Sequence, residues 1–199
     1  MNKLGFYFSY FMRLVQQQMD GASIFLFVEM SVASVAVLFV IIKLYEKLSG
    51  NQIAHYKKRA ILLLAVYACF IFQITVYRRI GVDKSRINTW LYFGFRKWDG
   101  TVDEKQLVYS FLNVVFFVPW GFLLASAMEN NVRRFVMTFF YSLIASLSIE
   151  IMQYLTKTGT SEITDLVTNV SGGLIGCLLY VLIRHIINKR SNERSIERR

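Results

Sequence analysis

The segment ITDLVTNVSGGLIGCLLYVLI, residues 163–183, is long and apolar enough to cross a membrane as one helix. It nevertheless begins with polar side chains, because Asp165 and Asn169 lie about one helical turn apart in its first half. A carboxylate at bilayer depth costs about 3 kcal/mol on insertion scales, so it usually faces a bundle interior or an aqueous cavity. The segment therefore predicts a helical membrane protein with a polar site near one end of this helix.

Four further runs have the length of a membrane span, at 22–44, 60–77, 107–128 and 134–155. A spanning backbone must satisfy its own hydrogen bonds, so separate apolar runs of about 18 to 25 residues are helices rather than strands. Residues 4–15 are too short to span and predict an interfacial amphipathic helix. We expect an all-α bundle of five spanning helices in a single membrane domain, 1–199, with a charged, solvated or disordered tail at 188–199.

The composition argues against several other classes of protein. The chain is 55% hydrophobic and carries a net charge of +10, but its basic residues lie in loops and in the tail, where anionic lipid and topology account for them. Nucleic acid is therefore not an expected partner. Cys69 and Cys177 lie within apolar runs and are expected to be core residues rather than a disulfide. His55 and His185 lie far apart, so no metal site or cofactor is expected.

Polar residues recur near one end of the predicted bundle, where the second and fourth spans end and the third and fifth begin. These residues are Arg78, Arg79, Asn113, Glu150, Gln153, Asp165 and Asn169. Glu29 of the first span falls in the same half of the bilayer, and Glu162 precedes the fifth span. We expect a polar cluster with Arg78 or Arg79 as the counter-ion of Glu150 or Asp165. The alternative is an ion-pair network that only fixes helix packing.

Two features predict local helix geometry. Pro119 removes a backbone donor, and together with Gly121 it is expected to kink the third span near Val115. Three glycines of the fifth span, Gly172, Gly173 and Gly176, include a small-xxx-small pair. This pattern allows two helices to approach closely, so we expect these glycines to serve packing rather than ligand binding.

The distribution of Lys and Arg sets the expected orientation, because cytoplasmic loops are enriched in these residues. With the N-terminus outside, the cytoplasmic side holds 13 of the 23 basic residues and the outer side holds 10. The loop 78–106 opposes this orientation, although it also carries four acidic residues. We therefore expect a multi-pass protein of the cell membrane, with its C-terminus in the cytoplasm and the polar cluster on the outer side.

Three motifs in the second half of the chain resemble the VanZ-like family of bacterial membrane proteins. They are NVVFFVPWGFLL at 113–124, SIEIMQY at 148–154 and GTSEITDLVTNVSGGLIG at 159–176. The resemblance covers about 86–187 and places the family's recurrent polar positions at Asn113, Glu150, Gln153, Asp165 and Asn169. The chain departs from the family at Glu162, where many members have Asp, and it lacks the Arg that often precedes this cluster.

The resemblance implies a link to resistance against lipoglycopeptides such as teicoplanin at the cell envelope of Gram-positive bacteria. Our leading hypothesis is a non-enzymatic factor among membrane lipids that holds or senses an amphiphile at the outer leaflet, either the antibiotic's lipid tail or a cell-wall lipid precursor. One alternative is a membrane enzyme acting on a lipid-linked substrate, with Glu150 and Asp165 as acid and base. Another is a small transporter or flippase subunit, which would need a polar path through cytoplasmic halves that are mostly apolar.

Overall fold

Across residues 3–95, 97 and 99–197, which the computed structural model describes, the chain forms six α-helices and two short strands. The helices are α1 (Lys3–Met19), α2 (Ile24–Ser49), α3 (His55–Thr75), α4 (Glu104–Ser126), α5 (Asn131–Leu155) and α6 (Ile163–Glu197). The strands are β1 (Lys84–Asn88) and β2 (Thr158–Glu162). Helices α2 to α6 are long and apolar enough to span a membrane, which confirms the predicted fold class.

Helices α2, α4 and α5 begin at polar side chains that bind otherwise unpaired backbone N–H groups. The Ser23 hydroxyl accepts from the first turn of α2, Asp103 caps α4 in the same way, and Asn130 accepts from two N–H groups of α5. Helix α2 ends at Gly50, whose φ of 69° lies in the left-handed region that favours glycine. These caps extend the spans a few residues beyond their apolar runs, to the boundaries observed.

The charged tail differs from its prediction in one respect. Its described residues are exposed, but they continue α6 as a helix as far as Glu197, whereas a solvated or disordered segment was expected. Residues 188–197 contain neither glycine nor proline, so nothing in the sequence stops a helix that already leaves the membrane region. Residues 198–199 lie outside the described part of the chain.

Helices α4 and α6 pack closely along a face of glycines. A Cβ added at Gly172 would overlap the carbonyl oxygen of Val114, and one at Gly176 would overlap that of Val118. On the opposing helix, a Cβ at Gly121 would overlap the carbonyl oxygen of Gly173. The packing interpretation of these glycines is therefore confirmed, because any side chain at these positions would force the backbones apart.

Helix α4 continues through Pro119 to Ser126, and a neighbouring helix binds the backbone beside the proline. The Tyr67 hydroxyl of α3 donates to the carbonyl oxygen of Phe116 at 2.7 Å. The Tyr67 hydroxyl needs such a partner at this depth, because no water is available in the hydrocarbon region. The bond fixes α3 against α4 at mid-span.

The buried face of α5 is polar along its whole length. Arg134, Thr138, Ser142, Ser146 and Glu150 recur at four-residue intervals, and all five are buried. The prediction that the halves of the spans far from the polar cluster are mostly apolar is thus wrong for this face. Hydroxyls are small, so they let α6 approach α5, and the polar stripe serves packing.

Arg134 occupies the end of the bundle opposite the predicted polar cluster. Only 2% of the side chain is exposed. Its Nε donates to the carbonyl oxygens of Ala125 and Met128 at 3.1 and 3.0 Å, and its Nη1 donates to the side-chain oxygen of Asn131. The guanidinium carbon lies 5.2 Å from the centroid of the Tyr180 ring. One side chain thus joins the end of α4 to α5 and α6.

A two-stranded parallel sheet joins two loops at the other end of the bundle. Strand β1 belongs to the α3–α4 connection and β2 to the α5–α6 connection, with Lys84 opposite Thr158 and Asn88 opposite Glu162. The Ser85 hydroxyl donates to the carbonyl oxygen of Tyr154 at 3.1 Å and so anchors β1 to the end of α5. The sheet, which the sequence did not predict, holds the chain after α3 against the start of α6.

Candidate functional site

A cavity of about 500 Å³ lies at the end of the bundle that carries the parallel sheet. Its wall comes from the 3-10 turn Tyr77–Arg79, the first turns of α4, strand β2 and the first turn of α6. We call this cavity the end pocket. Its volume lies within the range of roughly 300 to 1,000 Å³ that is typical of small-molecule sites.

Two arginines line the end pocket in different ways. Arg78 donates from Nε to the carbonyl oxygen of Ile74 at 2.6 Å and from Nη1 to that of Gln17 at 2.7 Å, so it ties the turn to the end of α1. Arg79 lies beside Gly159 of β2, where an added Cβ would be 3.3 Å from the Arg79 Nη1 atom. The absence of a side chain at Gly159 keeps this guanidinium accessible from the pocket.

Two carboxylates, Glu162 and Asp165, also line the pocket. Glu162 accepts from the Gln106 side chain at 3.3 Å, and Asp165 lies in the first turn of α6, where the helix dipole favours a negative charge. The Asn113 side chain and the Arg79 charge both interact with Asp165. Within the described residues, however, neither Arg79 nor Asp165 forms an ion pair within 4.0 Å. The charges of Arg79 and Asp165 thus both line the pocket but form no ion pair with each other.

One face of α4 supplies further polar side chains to the pocket. Gln106, Tyr109 and Asn113 follow the helical period and all line the end pocket. Lys105 adds a positive charge, and its Nζ lies 5.6 Å from the centroid of the Tyr109 ring. Asp103 also lines the pocket, although it caps the helix by accepting from the Gln106 N–H at 3.3 Å.

The loop before α4 is fixed to α6 beside the pocket. The Tyr92 N–H donates to the Thr164 hydroxyl at 2.9 Å, and the Tyr92 hydroxyl donates to Asp103 at 3.4 Å. Partial burial, with the Asp103 carboxylate beside it, raises the pKa of Tyr92, so its hydroxyl remains protonated as a donor. These contacts hold the loop that borders the site.

Two of the predicted site residues bind neighbouring elements and do not line the pocket. Glu150 accepts the backbone N–H of Glu162 at 2.9 Å, which attaches the end of β2 to α5. Asn169 donates to the Ser146 hydroxyl at 2.9 Å and so joins α6 to α5 within the core. Both side chains position the wall that carries Asp165.

Gln153, a third predicted site residue, also lies outside the pocket lining. Its amide nitrogen donates to the carbonyl oxygen of Thr75 at 2.9 Å, which joins the ends of α5 and α3. Its Oε1 atom is buried and accepts no hydrogen bond from any described residue. Gln153 is close to Gly159, so it supports the strand that borders Arg79.

The structure therefore divides the predicted cluster into two groups. Arg78, Arg79, Asn113 and Asp165 meet at the end pocket, whereas Glu150, Gln153 and Asn169 support its wall. Glu29 is exposed on α2 and does not line the pocket. Sequence reasoning missed Gln106 and Tyr109 of α4 and residues 158–160 of β2, although the spacing of Gln106 and Tyr109 from Asn113 was a usable signal.

Comparison with known proteins was consistent with the motif analysis. The model of a family described as VanZ/LLP1 matches residues 60–184, a range that adds most of α3 to the region expected from the motifs. Protein VanZ of Enterococcus faecium is 36% identical over 86 residues, which cover 43% of this chain and 50% of that protein. The chain thus aligns with about half the length of this relative. No solved structure matches.

Proposed function

The chain belongs to the VanZ/LLP1 family, and from this premise we propose that its end pocket holds the polar headgroup of an amphiphile at the outer leaflet of the membrane. The observation that carries the proposal is a 500 Å³ cavity with charges of both signs at one end of a bundle of five apolar helices. A cavity with such a lining suits a headgroup better than an acyl chain, because buried charges reject apolar groups.

The surface next to the pocket suits the rest of an amphiphile. Val82, which lines the pocket, is 53% exposed, and Ile80, two residues before it, is 63% exposed. An apolar tail can contact these side chains while its headgroup enters the pocket. The antibiotic's lipid tail and a cell-wall lipid precursor both meet this description.

The link to resistance extends the proposal to the cell. We expect a strain lacking the gene to become more susceptible to teicoplanin, which carries a lipid tail, than to vancomycin, which does not. Arg79→Gln should fail to restore teicoplanin tolerance, because it removes the positive charge beside Gly159 in the pocket. The measurement is the inhibitory concentration of each drug for the deletion strain and for its complemented derivatives.

Arg86→Gln is the matched control for that experiment. Arg86 is an exposed residue of β1, close in sequence to Arg79, but it does not line the pocket. The control should restore tolerance as well as the natural chain does, with equal protein in the membrane fraction. Full complementation by Arg79→Gln, or equal susceptibility of the deletion strain to both drugs, would contradict the proposed role.

The enzyme alternative has weaker support than headgroup binding. It assigned acid and base roles to Glu150 and Asp165, and a catalytic group must reach the proton that it transfers. Glu150 is bound to the Glu162 N–H and does not line the pocket. Glu162 and Asp165 are the carboxylates that α6 and β2 present there, so an acid–base pair would have to be built from these two.

The proposed orientation places the end pocket outside the cell and the Arg134 end in the cytoplasm. We expect an Arg86→Cys protein in intact cells to react with a membrane-impermeant maleimide, because Arg86 is exposed at the pocket end. Val132→Cys, 74% exposed at the Arg134 end, should react only after permeabilisation. Cys69 and Cys177 are buried and should give little background. The reverse pattern would place the pocket in the cytoplasm and contradict the outer-leaflet proposal.

A further inference from the structure

We infer that the end pocket recognises a zwitterionic headgroup that carries a phosphate and a primary ammonium group, with the phosphate at Arg79 and the ammonium at Asp165 and Glu162. The inference rests on the proposed function and specifies the ligand class of the same site. It follows from the balance of charges in the pocket and from the kinds of donors and acceptors around them.

The pocket lining is balanced in formal charge. Its six charged side chains are three cations and three carboxylates. Arg78 binds the carbonyl oxygens of Ile74 and Gln17, and Asp103 caps α4, so these two hold the backbone around the pocket. The remaining charges are two cations and two carboxylates: Arg79, Lys105, Glu162 and Asp165. A ligand with a single charge would leave either the two cations or the two carboxylates without a partner of opposite charge. A zwitterion provides a partner for the cations and for the carboxylates.

The basic side chains of Arg79 and Lys105 in the pocket fit a phosphate. An arginine guanidinium presents parallel N–H donors that match two oxygens of a phosphate, and Lys105 can add a point charge. Arg79 lies beside Gly159, so backbone rather than a side chain borders its Nη1 atom on that side. A phosphate can therefore approach the guanidinium directly.

The carboxylates of Glu162 and Asp165 in the pocket fit an ammonium group that retains N–H donors. Asp165 and Glu162 are acceptors that line the pocket. Quaternary ammonium groups are instead held by several aromatic faces. Tyr109 is the aromatic residue among the lining residues, and Lys105 lies close to its ring. A primary ammonium thus matches this wall better than a trimethylammonium.

The test uses the full-length protein in detergent and three short-chain lipids that differ only in the headgroup: dihexanoyl phosphatidylethanolamine, phosphatidic acid and phosphatidylcholine. We expect calorimetry to show the ethanolamine lipid binding about tenfold more tightly than either of the others. Asp165→Asn should remove this preference without weakening the binding of phosphatidic acid, because it removes a negative charge from a pocket that holds an anion. Arg79→Gln should weaken the binding of phosphatidylethanolamine and of phosphatidic acid, whereas Arg86→Gln should weaken the binding of neither lipid.

The comparison of lipids on the natural chain needs no variant, so it tests the inference even if Asp165→Asn does not fold. Equal affinity for the three lipids, with loss in Arg79→Gln, would overturn the ammonium assignment and leave headgroup binding intact. The absence of any saturable, Arg79-dependent binding would overturn both proposals. Free O-phosphoethanolamine tests whether the ligand is a soluble molecule rather than a lipid. If it displaces the lipid at comparable affinity, the phosphate and ammonium chemistry is supported and the amphiphile proposal is contradicted.

Discussion

Arg134→Leu is expected to destabilise the protein by about 3 kcal/mol or more, although it removes a charge from a membrane helix. The guanidinium donates to the carbonyl oxygens of Ala125 and Met128 and packs on Tyr180. Leucine would remove both of its bonds to the Met128 carbonyl oxygen and its bond to that of Ala125, although the Ala125 oxygen still accepts the Met128 N–H. Hydrogen bonds to a charged donor contribute about 1.5 to 3 kcal/mol each, and more than one is lost. The measurement is the melting temperature of the purified protein in detergent.

The adjacent Arg133 provides a control with the same charge and the same helix. Its side chain is exposed, so Arg133→Leu should change the melting temperature only slightly. Arg134→Lys should fall between the two, because an ammonium cannot present the planar set of donors that joins the three helices. If Arg133→Leu and Arg134→Leu melt together, the contacts of Arg134 do not stabilise the bundle.

Gly172→Val is expected to have an effect of similar size through packing. Any side chain at this position overlaps the carbonyl oxygen of Val114, so α4 and α6 must separate. Overpacking in a filled core typically costs about 1 to 3 kcal/mol, and backbone that cannot yield places this site at the upper end. Since α4 and α6 both contribute side chains to the end pocket, lipid binding should be lost together with stability.

Ser171→Val tests the same change one residue earlier in α6. The Ser171 hydroxyl bonds only the carbonyl oxygen of Val167 in its own helix and is exposed, so this variant should remain folded and bind lipid normally. Thermal melting and calorimetry on both variants make the comparison. A Gly172→Val protein that melts and binds like the natural chain would show that the two helices need not approach so closely.

The spanning helices were predictable because each apolar run must satisfy its own backbone in lipid. The sheet was not, because its strands pair residues far apart in sequence and neither Lys84–Asn88 nor Thr158–Glu162 is strongly apolar. Residues 78–106 nevertheless form an unusually long connection for a compact bundle, and that length was itself a signal of local structure.

The site was predictable by location and less so by the role of each side chain. Depth in the membrane identified Asp165 and Asn113 correctly as neighbours, because helix spacing fixes their level in the bundle. It could not separate Asp165 from Glu150, since both are carboxylates at the same level. The direction of each side chain depends on helix rotation, which in this bundle is set by the glycine face of α6 and the hydroxyls of α5.

The parallel pairing of β1 with β2 has a consequence for how the protein is made. Strand β1 and Arg79 leave the ribosome before α4, α5 and β2 have been synthesised, so they wait without their final neighbours while two further helices enter the membrane. The pocket is completed only when Asp165 arrives with the last span. A chain that stalls after α5 would thus reside in the membrane with four helices inserted and the end pocket incomplete. A ligand-binding assay would therefore detect only chains whose synthesis is complete.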